Sequence, residues 1–157
     1  MRRDGPFKLL TSFNVAVPEG VHHTDLLDTF REEQHRKFFH YDASLTDGEL
    51  GSTLQTLNPG EKFLVFELEA KRNVTEEECI EYLNAKNATF LGAHGLCLVY
   101  AREGWRFFRN KRVASYGFNM AAYISSSPKG HTQFIVCGID DMDLGKGDIL
   151  LCFCVND

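Results

Sequence analysis

The sequence predicts an α+β fold: a mainly antiparallel sheet of about five or six strands with about two helices packed on one of its faces. Three observations carry that expectation. The runs KFLVFELE (62–69) and DILLCFCV (148–155) are apolar at alternate positions on both faces, as in strands covered on both sides. The run NVTEEECIEYLNAKN (73–87) has the start signals of a helix. Most connections between apolar runs are short, which suits neighbouring antiparallel strands. At 157 residues the chain fits one domain, 1–157, large enough to bury a core without staples.

Residues 1–20 read as an irregular or strand-forming segment. HTDLLDTFREEQHRKFFHYD (23–42) reads as a helix, with Thr24 or Asp25 as cap and Leu27, Phe30 and Phe38 near helical spacing. A turn-rich connection follows over 47–61, punctuated by Pro59-Gly60. After the strand at 62–69, Thr75 and Glu78 form a capping box. Val74 and Cys79 sit at the staple positions, and Glu76, Glu77 and Glu78 fill the first turn, where the helix dipole favours negative charge.

ATFLG (88–92) and GLCLVYA (95–101) read as extended segments, with His94 in a turn between them, and REG (102–104) as the turn of a hairpin leading into WRFFRN. Further strands are expected at 113–118, 132–139 and 148–155, with a loop at 125–130. The stretch DDMDLGKG (140–147) reads as an exposed acidic hairpin turn between the last two strands.

Composition narrows the class. No apolar run approaches the roughly 20 residues that span a bilayer, so no membrane contact is expected. Lys8 and Asn14 interrupt the N-terminal apolar stretch, which argues against a secretory signal. Five cysteines form no regular framework and fit reduced thiols in the cytoplasm.

The candidate sites are mostly discounted by their spacing. Cys152 and Cys154 share one face of an apolar strand, and that pattern favours two small hydrophobes in the core. A zinc knuckle needs two to four intervening residues and further ligands, and a redox dithiol needs two intervening residues at a helix start. His35 and His40 do not share a helix face, and His22-His23 bring no carboxylate signature. The acidic turn fails the calcium-loop pattern, because Lys146 or Cys152 falls where Gly or Glu is required. No phosphate-binding loop or dinucleotide fingerprint is present. No cofactor and no metal are therefore expected, and no catalytic set converges. A Cys97–His94 nucleophile pair remains the one enzymatic alternative.

One segment stands out by charge. Residues 101–132 carry six basic groups against one acidic group in a chain whose net charge is −5. Within REGWRFFRNKRVASYGF (102–118), Arg106, Arg109, Lys111 and Arg112 are interleaved with Trp105 and Phe108, a pattern able to neutralise phosphates and stack on bases. The competing expectation is a structural hairpin whose cations pair with acidic neighbours from 140–148.

Thr75–Cys79, Leu91–Tyr100 and Leu150–Cys154, with the strand before them, resemble segments of a loose group of small bacterial proteins from candidate-phylum genomes. The resemblance covers about half the chain. It implies a bacterial cytoplasmic protein with one α+β domain, and it carries no catalytic residues. The leading functional expectation is a non-enzymatic binding or interaction module with a protein or small-molecule partner. A nucleic-acid binder using 102–118 and a small cysteine-dependent enzyme are the alternatives.

Overall fold

The computed structural model describes residues 5–19, 40–41, 57–117, 120–126, 132–138 and 142–156, with the backbone alone at 40–41 and at Trp105. Its class is α+β. The strands are β1 (Phe7–Ala16), β2 (His40–Tyr41), β3 (Lys62–Ala70), β4 (Arg112–Tyr116), β5 (Met120–Ser126), β6 (Thr132–Gly138) and β7 (Ile149–Val155). The helices are α1 (Glu76–Ala85) and α2 (Gly92–Glu103). All seven strands form one sheet in the order β1-β3-β7-β4-β5-β6-β2, antiparallel except at β7–β4 and β6–β2.

β3 and β7 lie side by side, with Val65 opposite Phe153 and Phe66 opposite Cys152. Both strands are apolar on both faces, so both faces of the sheet need a cover. This is why the helices do not share one face as expected. α2 covers the side bearing Phe63, Val65, Val113, Ile124 and Phe153. α1 brings Cys79 and Leu83 against the other side, onto Phe7, Leu68, Ala114 and Tyr116.

The helix α1 begins as its sequence predicts. The Glu78 amide donates to Thr75 Oγ1 at 3.2 Å and the Thr75 amide donates to Glu78 Oε1 at 3.3 Å. Val74 and Cys79, flanking that cap, are buried. The Arg72 guanidinium grips the Glu78 carboxylate at 2.6 Å, and this bond with the Thr75 amide bond lowers its pKa to about 2.

α2 corrects the extended reading of 95–101, and His94 is a helical residue rather than a turn residue, whereas Thr89, within the first expected segment, does bridge Phe153 of β7. Every position from Gly92 to Tyr100 is buried. A helix buried on all sides has no polar face, so its sequence shows no helical periodicity. Gly95 explains how it fits: a Cβ there would lie 2.6 Å from Phe153 Cζ. Glycine is therefore needed for the helix to approach β7, although it costs helix propensity. After α2 the chain makes a 3₁₀ turn at Trp105–Phe108, not a hairpin strand.

The segment before β7 also departs from expectation. β6 and β7 are not neighbours, so 140–147 is no hairpin turn. Met142 and Leu144 are buried, and Leu144 exchanges backbone hydrogen bonds with Val74. Asp143 accepts from the Glu76 amide at 2.8 Å, tying this segment to the start of α1. The expected helix at 23–42 lies outside the described residues except for His40–Tyr41, which form β2 alongside β6. Pro59-Gly60 does make a turn: Gly60 adopts φ +82°, and the Glu61 amide donates to the Asn58 carbonyl at 3.0 Å.

Candidate functional site

The basic segment is largely tied to the protein's own acidic groups. Lys111 Nζ lies 2.7 Å from Glu67 Oε2, a buried carboxylate on β3, and 4.4 Å from the centre of the Phe107 ring. Arg112 donates to Asp148 Oδ2 from Nε at 3.1 Å and Nη2 at 2.7 Å, and to the Asp143 carbonyl at 2.8 Å. Its guanidinium also stands over the Tyr123 ring. Phe108 is fully buried and stacks on Tyr100, so it presents no face to a base. Arg106 and Arg109 are exposed, and the Trp105 side chain lies outside the described residues. Of the five described side chains, Lys111 and Arg112 are paired internally and Phe108 is core.

The thiols sort by depth. Cys97 and His94 are both buried in α2, and neither lines the groove described below. Cys79 is buried against Tyr116, whose hydroxyl donates to the Met142 carbonyl, and burial pushes the thiol pKa up to about 11. Burial also raises Tyr116. Cys152 is buried as expected for a core residue, whereas Cys154 is only half-buried. Their sulfurs are 4.0 Å apart. Burial, then the neighbouring Cys154, pushes the Cys152 thiol up to about 12.

A different region has the form of a binding site. Between α1 and the β1–β3–β7 side of the sheet runs a groove of about 740 Å³, within the range of small-molecule sites. Phe66, Leu68 and Cys152 line it from the sheet, Phe7 and Leu9 from β1, and Tyr82 from α1. Tyr82 meets Phe7 edge-on, with ring centres 4.9 Å apart. The remaining groove-lining side chains of note are Lys8, Lys71 and Lys86. No carboxylate lines the groove, and no ion pair joins these lysines to a carboxylate among the described residues. Lys86 Nζ rests over the Tyr82 ring at 5.5 Å.

Sequence reasoning missed this groove. Its three lysines come from the start of β1, the end of β3 and the end of α1. None stands in a basic cluster, and only folding brings them around one apolar surface. No family model matches the chain, and no curated protein or solved structure matches it either. The groove's chemistry is therefore read from its own residues. Among the described residues no three potential ligands group as a metal centre, and no helix is long and apolar enough to cross a membrane.

Proposed function

We propose that the protein is a non-enzymatic binding module whose groove between α1 and the sheet takes a small amphipathic anion, an apolar body carrying a carboxylate or phosphate. One contrast supports this reading. Lys111 and Arg112 are paired with Glu67 and Asp148, while Lys71 and Lys86 line an apolar groove that no carboxylate lines. Apolar area supplies affinity for the body of such a ligand, and the ammonium groups select its charge. The reading places the protein in the bacterial cytoplasm. Its five free thiols suit a reducing compartment, and the bacterial origin rests on the resemblance of Thr75–Cys79, Leu91–Tyr100 and Leu150–Cys154 described above. The nucleic-acid alternative loses Phe108 to the core and two of its four cations to internal pairs.

Calorimetric titration with dodecanoate and with dodecanol tests the proposal, because the two share a tail and differ in charge. Saturable one-to-one binding of dodecanoate, weaker binding of dodecanol and loss of affinity with salt are expected. Replacing Lys71 or Lys86 by Gln should each weaken dodecanoate by up to about fivefold, since a screened ion pair contributes roughly 1 kcal/mol or less. Absence of saturable binding, or equal affinity for the alcohol, would refute the reading.

A further inference from the structure

We propose that the groove's ligand is the C-terminal end of a partner protein, an extended peptide that adds as a strand to β1 and carries apolar side chains at its last and third-last positions. The inference rests on the groove reading above and names the class of its ligand. Strand register gives the groove its direction. Phe66 of β3 stands opposite Cys152 of β7, and Leu68 of β3 stands opposite Leu9 of β1, so the groove crosses three strands. At its inner end Cys152 is 1% exposed, whereas Leu9 is 55% exposed. The groove therefore opens at the edge of the sheet. β1 stands first in the strand order, and no described strand pairs with its outer side.

That edge offers backbone as well as apolar surface. The Pro6 carbonyl accepts from the Lys71 amide at 2.8 Å, so Pro6 is turned toward the β3 side. Backbone groups of an antiparallel pair turn alternately toward and away from the partner strand. Lys8 therefore faces β3, and the amides and carbonyls of Phe7 and Leu9 face outward. The register shift between Leu9 and Thr11 ends this run. The open window is short, and it lies at the mouth of the groove. A peptide bonded to Phe7 and Leu9 sets the side chains opposite them on the same face, toward α1.

Direction and charge follow from Lys71. It lines the groove just past the end of β3, beside the Phe7 end of β1. A terminal carboxylate reaches it when the peptide runs antiparallel to β1, with its last residue opposite Phe7 and its third-last opposite Leu9. A second copy of β1 is the rival occupant, and it fits less well. FKLLTSFNVA has no acidic residue to offer Lys71, and the bulge interrupts the long edge that two β1 strands would share. A fatty tail would use the apolar surface and leave the outward backbone groups to water.

The test is calorimetric titration of the full chain with the peptide acid acetyl-Thr-Leu-Thr-Leu, with its C-terminal amide, and with a form N-methylated at the first leucine. That methyl group keeps the charge and the apolar surface and removes one strand hydrogen bond. Saturable binding of the acid is expected, up to about fivefold weaker for the amide and about tenfold weaker for the N-methyl form. Lys71→Gln should weaken the acid and leave the amide unchanged. Leu9 is exposed, so Leu9→Glu should keep the native circular dichroism while preventing measurable binding of the acid. Dodecanoate that binds where the peptide acid does not would overturn this inference and leave the groove reading standing, whereas failure of both ligands would remove the two together. Equal affinity for the amide or for the N-methyl form would overturn it, and so would a chain that sediments as a dimer and loses that state in Leu9→Glu.

Discussion

Gly95→Ala sets two effects of known size against each other. In an ordinary helix this change stabilises by about 1 kcal/mol, because alanine has the higher helix propensity. In α2 the new methyl group would stand 2.6 Å from Phe153 Cζ, 2.7 Å from Cε2 and 3.0 Å from Leu91 Cβ. Phe153 and Leu91 are both buried, so neither can swing into solvent. Overpacking of this kind costs typically 1–3 kcal/mol. With contacts this short the cost should lie at the upper end, leaving a net loss of about 1–2 kcal/mol. For a chain of this length that lowers Tm by roughly 2–8 °C. Urea denaturation followed by circular dichroism measures it. Phe153→Leu shortens the ring that obstructs the methyl group, so the double variant should be less destabilised than the two single losses added, by about 1 kcal/mol. A Gly95→Ala chain more stable than the parent, or strict additivity with Phe153→Leu, would refute the close-approach argument.

Thr75→Ala should destabilise by about 1 kcal/mol through loss of the bond to the Glu78 amide, read by the same denaturation. The folded-state pKa of Glu78, about 2, lies below the usual carboxylate value, so its contribution is present above about pH 4 and is lost as pH falls toward 2; Glu78→Gln should flatten that part of the stability–pH curve. Arg109→Glu combined with Arg112→Glu should cost roughly 1–2 kcal/mol, because it breaks the Arg112–Asp148 pair and sets two carboxylates together. The unsubstituted chain should show no salt-sensitive binding to single-stranded RNA in a filter assay, and tight binding lost in the double variant would reinstate the nucleic-acid reading. Cys152, with its thiol pKa near 12, should react with iodoacetamide at pH 8 far more slowly than Cys154 until the chain is unfolded, as followed by peptide mass spectrometry.

Local chemistry was legible in the sequence. The capping box at Thr75 and Glu78, the acidic first turn of α1, the Pro59-Gly60 turn and the strands β3 and β7 all depend on residues within a few positions of one another. The cap and turn hydrogen bonds and the strands' alternation are local, whereas the ladder bonds of β3 and β7 form only when the two strands pair. The doubly apolar pattern of β3 and β7 also required cover on both faces, which the expectation of helices on a single face overlooked. Tertiary structure alone decided the rest. α2 is helical because burial on all sides outweighs its two glycines and its β-prone Leu-Cys-Leu-Val run, and because Gly95 admits Phe153 from a strand 58 positions away. Lys111 and Arg112 are neutralised by Glu67 and Asp148, which enter through sheet order rather than sequence proximity. The groove is the extreme case: Lys8, Lys71 and Lys86 acquire a common apolar surface only when β1 pairs with β3 and α1 packs across them. A pattern of neighbouring residues cannot encode a site whose parts meet solely through strand pairing and helix packing.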